Sequence, residues 1–528
     1  MVANPRLAKE MRYRSQYEDT GIMQDVFDGE RYKSLLKTLI TVAGKKLPFY
    51  HFSDPRDIAL GLAADGVCVF KKRSKTCCPL LLFNYDLPPE TRFHKDNVIP
   101  AGIIPGPNKP LDMDSFLHPL VQELVQLEIG TTAFDGLSKV VFLLRAHLLV
   151  VSSDIPAVTV LMHMKGHNGF SPCCMCKMVG VMVPPSHTYY VPLHRQNASG
   201  SSLGLYDPSN LPMRTHDGFM KEANEVQFAA TSTLEQNLAT KFGIKGIPLL
   251  SSLGSLSFPA SFPYDFMHLI WENLIPNLVL FWTGHFKELS HKGMGYALDD
   301  LVWKDICRIS VEAGDTIPAA FGCRVPNMST QHWQFTAEAW ATWTIYIAPI
   351  VLRGRFPEEK YYKHFLHLVH LLNLCLEYEL PMEKVAEIEN GFIGWVKDYE
   401  RSVIEVMTLD DILTCSNTFS FYYQHDISRL SACPLTIHAL LHVGPSIRVN
   451  GPVWASWSFP MERYCGDVVR HVKNRQYPYI SINNYAITSA QLAQLKLHYD
   501  LVEELAFGSR PDQDNHVGHI YDGCKRTK

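Results

Sequence analysis

The chain of 528 residues has room for three or four domains of roughly 100–200 residues each, or for one domain split by a large insertion. A hydrophobic share of 46% and a charged share of 19% are those of an ordinary globular protein and exclude wholesale disorder or a fibrous chain. With 49 Lys+Arg against 53 Asp+Glu the net charge is −4, so whole-chain electrostatics make no case for a nucleic-acid binder.

The first stretch, Met1 to Gly21, has no apolar signal core and carries Arg6, Lys9, Arg12 and Arg14. Together with an odd total of 13 cysteines, this argues against a secreted disulfide framework. The apolar runs Val140–Val151, Ile345–Leu352 and Phe365–Leu376 are short or interrupted by Arg145, His147, Pro349, His367 and His370. None offers the roughly 18 clean residues of a membrane span, and the expectation is a soluble intracellular protein.

Residues 57–152 have an α/β texture. Ile58–Ala64 ends in Asp65-Gly66, Cys78–Tyr85 in Leu87-Pro88-Pro89 and Val98–Ile104 in Pro105-Gly106-Pro107, which predicts three strands. Met113–Ile129 places apolar residues at 116, 117, 120, 121, 124 and 125 and stops at Gly130, the pattern of an amphipathic helix. Val140–Val151 reads as one central strand buried on both faces. From about 177 to 435 the texture changes. A Pro/Ser/Gly/Asn-rich loop, 183–215, precedes predicted helices at Phe219–Phe242, Phe266–Phe286, Gln331–Leu352, Lys360–Leu380 and Met382–Ser402. An α/β texture is expected to return after 435, with a Glu-bearing helix beginning near Phe459.

Asp65 and Asp154 each follow an apolar strand, and neighbouring strands of one sheet would bring them to the same edge. Carboxylates there suit Mg²⁺, a hard ion that takes oxygen ligands, and two such ions can clamp a phosphodiester displacement. The bland readings are a turn for Asp65-Gly66 and a helix cap for Asp154. Cys173 and Cys176 form a CxxC pair, and His438 and His442 sit at i and i+4 of a predicted helix. Two thiolates and two imidazoles can complete a closed, structural Zn²⁺ site. Against it stand a metal-free thiol pair with two core histidines, a redox CxxC, and His163 and His167 as rival ligands close to Cys173. His364, His367 and His370 line one helix and read as packed or partly exposed side chains.

Several longer stretches occur in a distinctive order: LGLAADGVCVF at Leu60–Phe70, LPPETR at Leu87–Arg92, IIPGPNKPLDMDSFLHPLVQEL at Ile103–Leu124, DIPA at Asp154–Ala157, PYDFMHLIWEN at Pro263–Asn273 and FPMERYCGDVVRHVKNR at Phe459–Arg475. In these the chain resembles the catalytic region of CACTA-type (En/Spm-like) DNA transposases, particularly a branch abundant in mushroom-forming fungi, over most of residues 50–480. The antigen-receptor recombination nuclease looks like a more distant relative. The resemblance implies an α/β, ribonuclease-H-like (retroviral-integrase-like) core with an Asp-Asp-Glu triad, interrupted by a large, mostly α-helical insertion.

Carried over by position, the triad is Asp65, Asp154 and Glu462, holding two Mg²⁺ (or Mn²⁺) ions, and Cys173, Cys176, His438 and His442 hold a structural Zn²⁺. The implied organisation is an N-terminal helical or linker segment (1–50), the first part of the core (51–160), a zinc-tied helical insertion (161–445), the Glu-bearing end of the core (446–510) and a polar tail (511–528). Glu462 alone would be an ordinary first-turn acid. Arg463, Arg470, His471, Lys473 and Arg475 follow it on the same predicted helix and, with Lys71, Lys72 and Arg73, give local positive charge for a DNA backbone. The rival third acid, Glu272, lies inside the insertion with Asp265 and His268 and reads as structural or end-binding.

The implied function is cleavage and strand transfer at transposon ends, on double-stranded DNA, by a homodimer or larger assembly in the nucleus, with Lys71–Lys75 as a basic signal. The alternatives are a transposase-derived protein that binds DNA or protein without cutting, and a zinc hydrolase with an open metal position. The chain starts almost directly before the α/β segment, without the longer N-terminal region that such transposases often carry, so an inactive or truncated copy is also an expectation.

Overall fold

The computed structural model describes residues 1–42, 44–70, 75–106, 110, 112–184, 187–287, 289–291, 294–318, 321–400, 421–501 and 504–505. Lys71, Lys72, Arg73, Ser402 and the segment 511–528 lie outside the described residues.

A five-stranded mixed sheet forms from β1 (Ile58–Ala64), β2 (Val67–Cys68), β3 (Thr76–Asn84), β4 (Ile99–Pro105) and β5 (Ala146–Ser152). β3 runs antiparallel to both β1 and β4, whereas β5 lies parallel to β1, with Ala146 opposite Ile58 and Ser152 opposite Ala63. A parallel neighbour needs a crossover, and α1 (Asp114–Ile129) provides it. Every residue of β5 is buried, as is all of β1 after Ile58, which explains why both read as unbroken apolar runs. Because β1 and β5 are parallel, the residues after each strand, Asp65 and Asp154, emerge at the same edge. Asp154 leads directly into α2 (Ile155–Leu161).

Several expectations are corrected. Val140–Val151 is two strands: Val140–Leu144 pairs with Thr131–Asp135 in an exposed hairpin, and β5 begins only after Arg145. Arg145 is buried with its guanidinium 4.0 Å from the centroid of the Phe49 ring, so the break sits in the packing and leaves no turn residue in the sequence. α1 buries Leu117, Val121, Leu124 and Glu128, while Phe116 is exposed. Phe219–Phe242 divides into His216–Gln227 and Ser232–Phe242, each capped by a threonine hydroxyl. After residue 435 no strand occurs among the described residues. The segment is helical, ending in α3 (Phe459–Arg470) and α4 (Pro478–Tyr499). α3 stops at Arg470, which puts Lys473 and Arg475 in the exposed connection to α4.

The first 50 residues contribute no strand to this sheet but are tied to the segment that follows β3 by buried ion pairs. The fully buried Arg92 of LPPETR makes a two-pronged ion pair with Asp25, at 2.7 and 2.8 Å, and Arg14 pairs with Asp86 at 2.9 Å. Ile22–Met23 also pairs with Leu380–Pro381, tying this segment to the helical region. Gly61 in β1 makes room for another long-range tie, since a Cβ there would stand 2.6 Å from the Tyr85 ring. Its absence lets Tyr85 cross the strand and donate its hydroxyl to Ala455 O at 2.8 Å, just ahead of α3.

Candidate active site and metal centre

Three hydrogen bonds seat the start of α3 on the sheet edge. Tyr85 donates to Ala455 O, the Ser152 hydroxyl to Ser456 O, and Ser458 N to Asp265 Oδ1 at 2.7 Å. Glu462, in the first turn of α3, is thereby held over the carboxyl ends of β1 and β5. One oxygen each from Asp65 and Glu462 and a ring nitrogen of His268 lie within 4.8 Å of one another. Asp154 stands at the same edge, where it caps α2 by accepting from Ala157 N at 2.7 Å.

Asp265 and His268, read from the sequence as structural or end-binding residues of the insertion, stand beside Asp65. His268 Nδ1 is 2.6 Å from Asp265 Oδ2, and its Nε2 is 3.6 Å from Asp65 and 3.9 Å from Glu272. His268 and Glu272 lie one turn apart on the π-helical Met267–Leu274, and Asp265 lies just before it. That spacing carries no information about which surface of the core the segment meets.

The electrostatics follow from this crowding. Burial, with Glu272, Asp65 and Asp265 adding repulsion, raises Glu462 to about 7. Burial and the nearby Asp154 and Asp265 raise Asp65 to about 6, against the pull of His268. For His268 burial opposes the charge, but Asp265, Asp65 and Glu272 outweigh it and raise the imidazole to about 10. No Lys or Arg pairs with Asp65, Glu272 or Glu462 among the described residues, so the histidinium is the cation that balances them. Such a set of hard oxygen donors fits divalent cations of the Mg²⁺ type.

The second cluster is closed. Cys173 Sγ lies 3.4 Å from His442 Nε2, Cys176 Sγ 3.2 Å from His438 Nε2, and the two Nε2 atoms 3.0 Å apart, all four residues being buried. These separations approach the edges of a tetrahedron with metal bonds of about 2.0–2.3 Å, and the S₂N₂ donor set fits Zn²⁺. Met175 N and Cys176 N donate to Cys173 Sγ, and Arg214 Nε donates to the carbonyls of Cys173 and Cys176 at 3.2 Å. Burial resists a thiolate at Cys173, but a bond from the Cys176 thiol and the two imidazoles pull its pKa well down. His163 and His167 do not join. His163 Nε2 is 3.0 Å from Asp114 instead.

The two clusters share one strap. Tyr264 places its hydroxyl 3.3 Å from Cys173 Sγ, its backbone bridges Ser153, and the next residue is Asp265. The proposed basic contacts also converge in part. Arg463, Arg470, Lys473 and Arg475 are exposed, and Lys75 Nζ donates to the carbonyls of Arg475 and Gln476 at 3.2 Å.

Residues 41–196, which include Asp65, Asp154, Cys173 and Cys176, match the family described as Transposase family tnp2. The match relates this segment, less than half of the chain, to a transposase family. No curated protein matches the chain. No helix among the described residues is long and apolar enough to cross a membrane.

Proposed function

We propose that the chain is a DNA-cleaving and DNA-joining transposase of the CACTA type, with a ribonuclease-H-like core and an Asp65, Asp154, Glu462 triad. The observation that carries the reading is the meeting of Asp65 and Glu462, from distant parts of the sequence, within 4.8 Å of His268 at the edge where Asp154 emerges. The strand arrangement supports the core: an antiparallel run of three long strands with a fourth laid parallel to the first.

In this reading Asp65, Asp154 and Glu462 hold two Mg²⁺ or Mn²⁺ ions, which when bound supply Lewis acidity and an activated water or DNA 3′-hydroxyl. The protein's own groups set up the rest. Asp265 fixes the His268 ring through Nδ1 and holds the start of α3 through Ser458 N, so one carboxylate positions both the local cation and Glu462. His268 keeps the carboxylates together before the ions arrive. Cys173, Cys176, His438 and His442 hold a structural zinc ion, which through Tyr264 steadies the strap that carries Asp265. Arg463, Arg470, Lys473 and Arg475 meet the phosphate backbone, in a homodimer or larger assembly acting in the nucleus.

The test is a nicking assay on a DNA substrate carrying element ends. Wild type should cut in Mg²⁺ or Mn²⁺, and Glu462→Gln should lose at least a hundredfold in rate while keeping its fold. Undiminished nicking by Glu462→Gln would overturn the assignment.

A further inference from the structure

A third group of metal-ligating side chains lies away from both clusters, toward the start of β5 rather than its carboxyl end. His51 follows the Lys45–Tyr50 strand, Glu128 sits in the last turn of α1 and His147 is the second residue of β5. They are 1%, 0% and 0% exposed, and one potential ligand atom from each lies within 4.8 Å of the others. His51 Nδ1 is 2.9 Å from Thr38 O, a contact that places the ring proton there and leaves Nε2 as a lone pair. That Nε2, and both ring nitrogens of His147, have no hydrogen-bond partner among the described residues. The two rings meet edge to face with centroids 4.8 Å apart.

Glu128 completes the arrangement. Its Oε2 accepts from Gly254 N at 3.0 Å and its Oε1 from Ser255 N at 3.1 Å, so each oxygen keeps a lone pair. The nearby guanidinium of Arg31 donates to Ser255 O at 2.5 Å and attracts Glu128 through its charge, with no direct ion-pair contact between them among the described residues. Buried polar groups are almost always satisfied, and a cation beside this buried carboxylate would take the lone pair of His51 Nε2 and that of the unprotonated nitrogen of His147.

We propose that His51, Glu128 and His147 form a second transition-metal site, taking a divalent ion of the Zn²⁺ or Co²⁺ type. Two imidazoles and one carboxylate suit such borderline ions better than Mg²⁺. The ion would pin three pieces of chain that are distant in sequence: the end of the Lys45–Tyr50 strand, the crossover helix α1 and the parallel strand β5 of the main sheet. The site is independent of the DNA-cutting reading.

The test uses the full chain with Asp65→Asn and Glu462→Gln, which removes the acidic cluster as a competing ligand set. The chain is stripped, reloaded with Co²⁺ and its metal content counted. Two ions per chain are expected, one with the intense near-ultraviolet thiolate-to-cobalt band of Cys173 and Cys176 and one with visible bands alone. Adding His147→Asn, or separately Glu128→Gln, should remove one ion and leave the thiolate band at full strength. A parent chain in which every bound ion carries the thiolate band, or an ion without that band retained in both variants, would overturn the proposal. The two substitutions are made separately, so that one folded variant suffices to assign the ion.

Discussion

Glu462 and Asp65 carry raised pKa values because they are buried beside other acids, and this has a stability consequence of definite sign. In the metal-free chain Glu462 holds its proton up to about pH 7, while in the unfolded chain it releases it near pH 4–5. The native state therefore binds the extra proton between those values, and stability falls as pH rises through that window. The melting temperature of metal-free protein should drop from pH 5 to pH 8, and Glu462→Gln should flatten the drop, recovering on the order of 1–3 kcal/mol at pH 8. Mg²⁺ should do the same for wild type and little for the variant. A metal-free Glu462→Gln protein no more stable than wild type at pH 8, measured by calorimetry, would show that the cluster is not electrostatically loaded. At the same scale Asp265→Asn should lower cleavage while leaving Mg²⁺ affinity within a few-fold, because Asp265 acts on His268 and on the start of α3.

Among the elements, β1 to β5 and α3 position the acids, and their supports are side chains whose loss should be felt directly. Arg92 and Asp25 are both 0% exposed, so Arg92→Met leaves a buried carboxylate unpaired and should cost about 3–5 kcal/mol by denaturant unfolding. The proposed zinc site at Cys173, Cys176, His438 and His442 makes a parallel prediction. Cys176→Ser, or chelation of zinc, should destabilise the fold by about 4 kcal/mol or more if free zinc exceeds its Kd a thousandfold. Both should also loosen the Tyr264–Asp265 strap and depress cleavage. The elements were unevenly legible in the sequence. β1 has the bounds its apolar run predicted, because Asp65-Gly66 punctuates it, and α1 agrees to within a residue because Gly130 stops it. Val140–Val151 misled because its division falls at Arg145, whose reason for being there is Phe49, a contact from elsewhere in the chain. Glu128 drew no notice in the sequence for a related reason. Periodicity ranks positions by apolar character, so a polar side chain turned toward the core on an otherwise apolar face goes unmarked.

For the whole molecule, a net charge of −4 coexists with an exposed basic stretch at the end of α3 and in the connection to α4. Contacts to a phosphate backbone depend on local charge, and each should contribute close to one unit to the salt slope of DNA binding. The triple variant Arg470→Gln, Lys473→Gln, Arg475→Gln should weaken DNA binding uniformly across sequences and lower that slope by about 2–3, read by fluorescence anisotropy at several salt concentrations. An unchanged slope would move the DNA path to another face. The central claim, that Asp65, Asp154 and Glu462 form one metal-dependent cutting centre, is tested most directly by DNA cleavage titrated with Mg²⁺ and Mn²⁺. Wild type, Asp65→Asn, Asp154→Asn, Glu462→Gln and Glu272→Gln are compared side by side. Wild type should cleave in a metal-dependent way, the first three variants should fail at every metal concentration, and Glu272→Gln should keep substantial activity. Cleavage that survives Glu462→Gln and disappears with Glu272→Gln would contradict the claim.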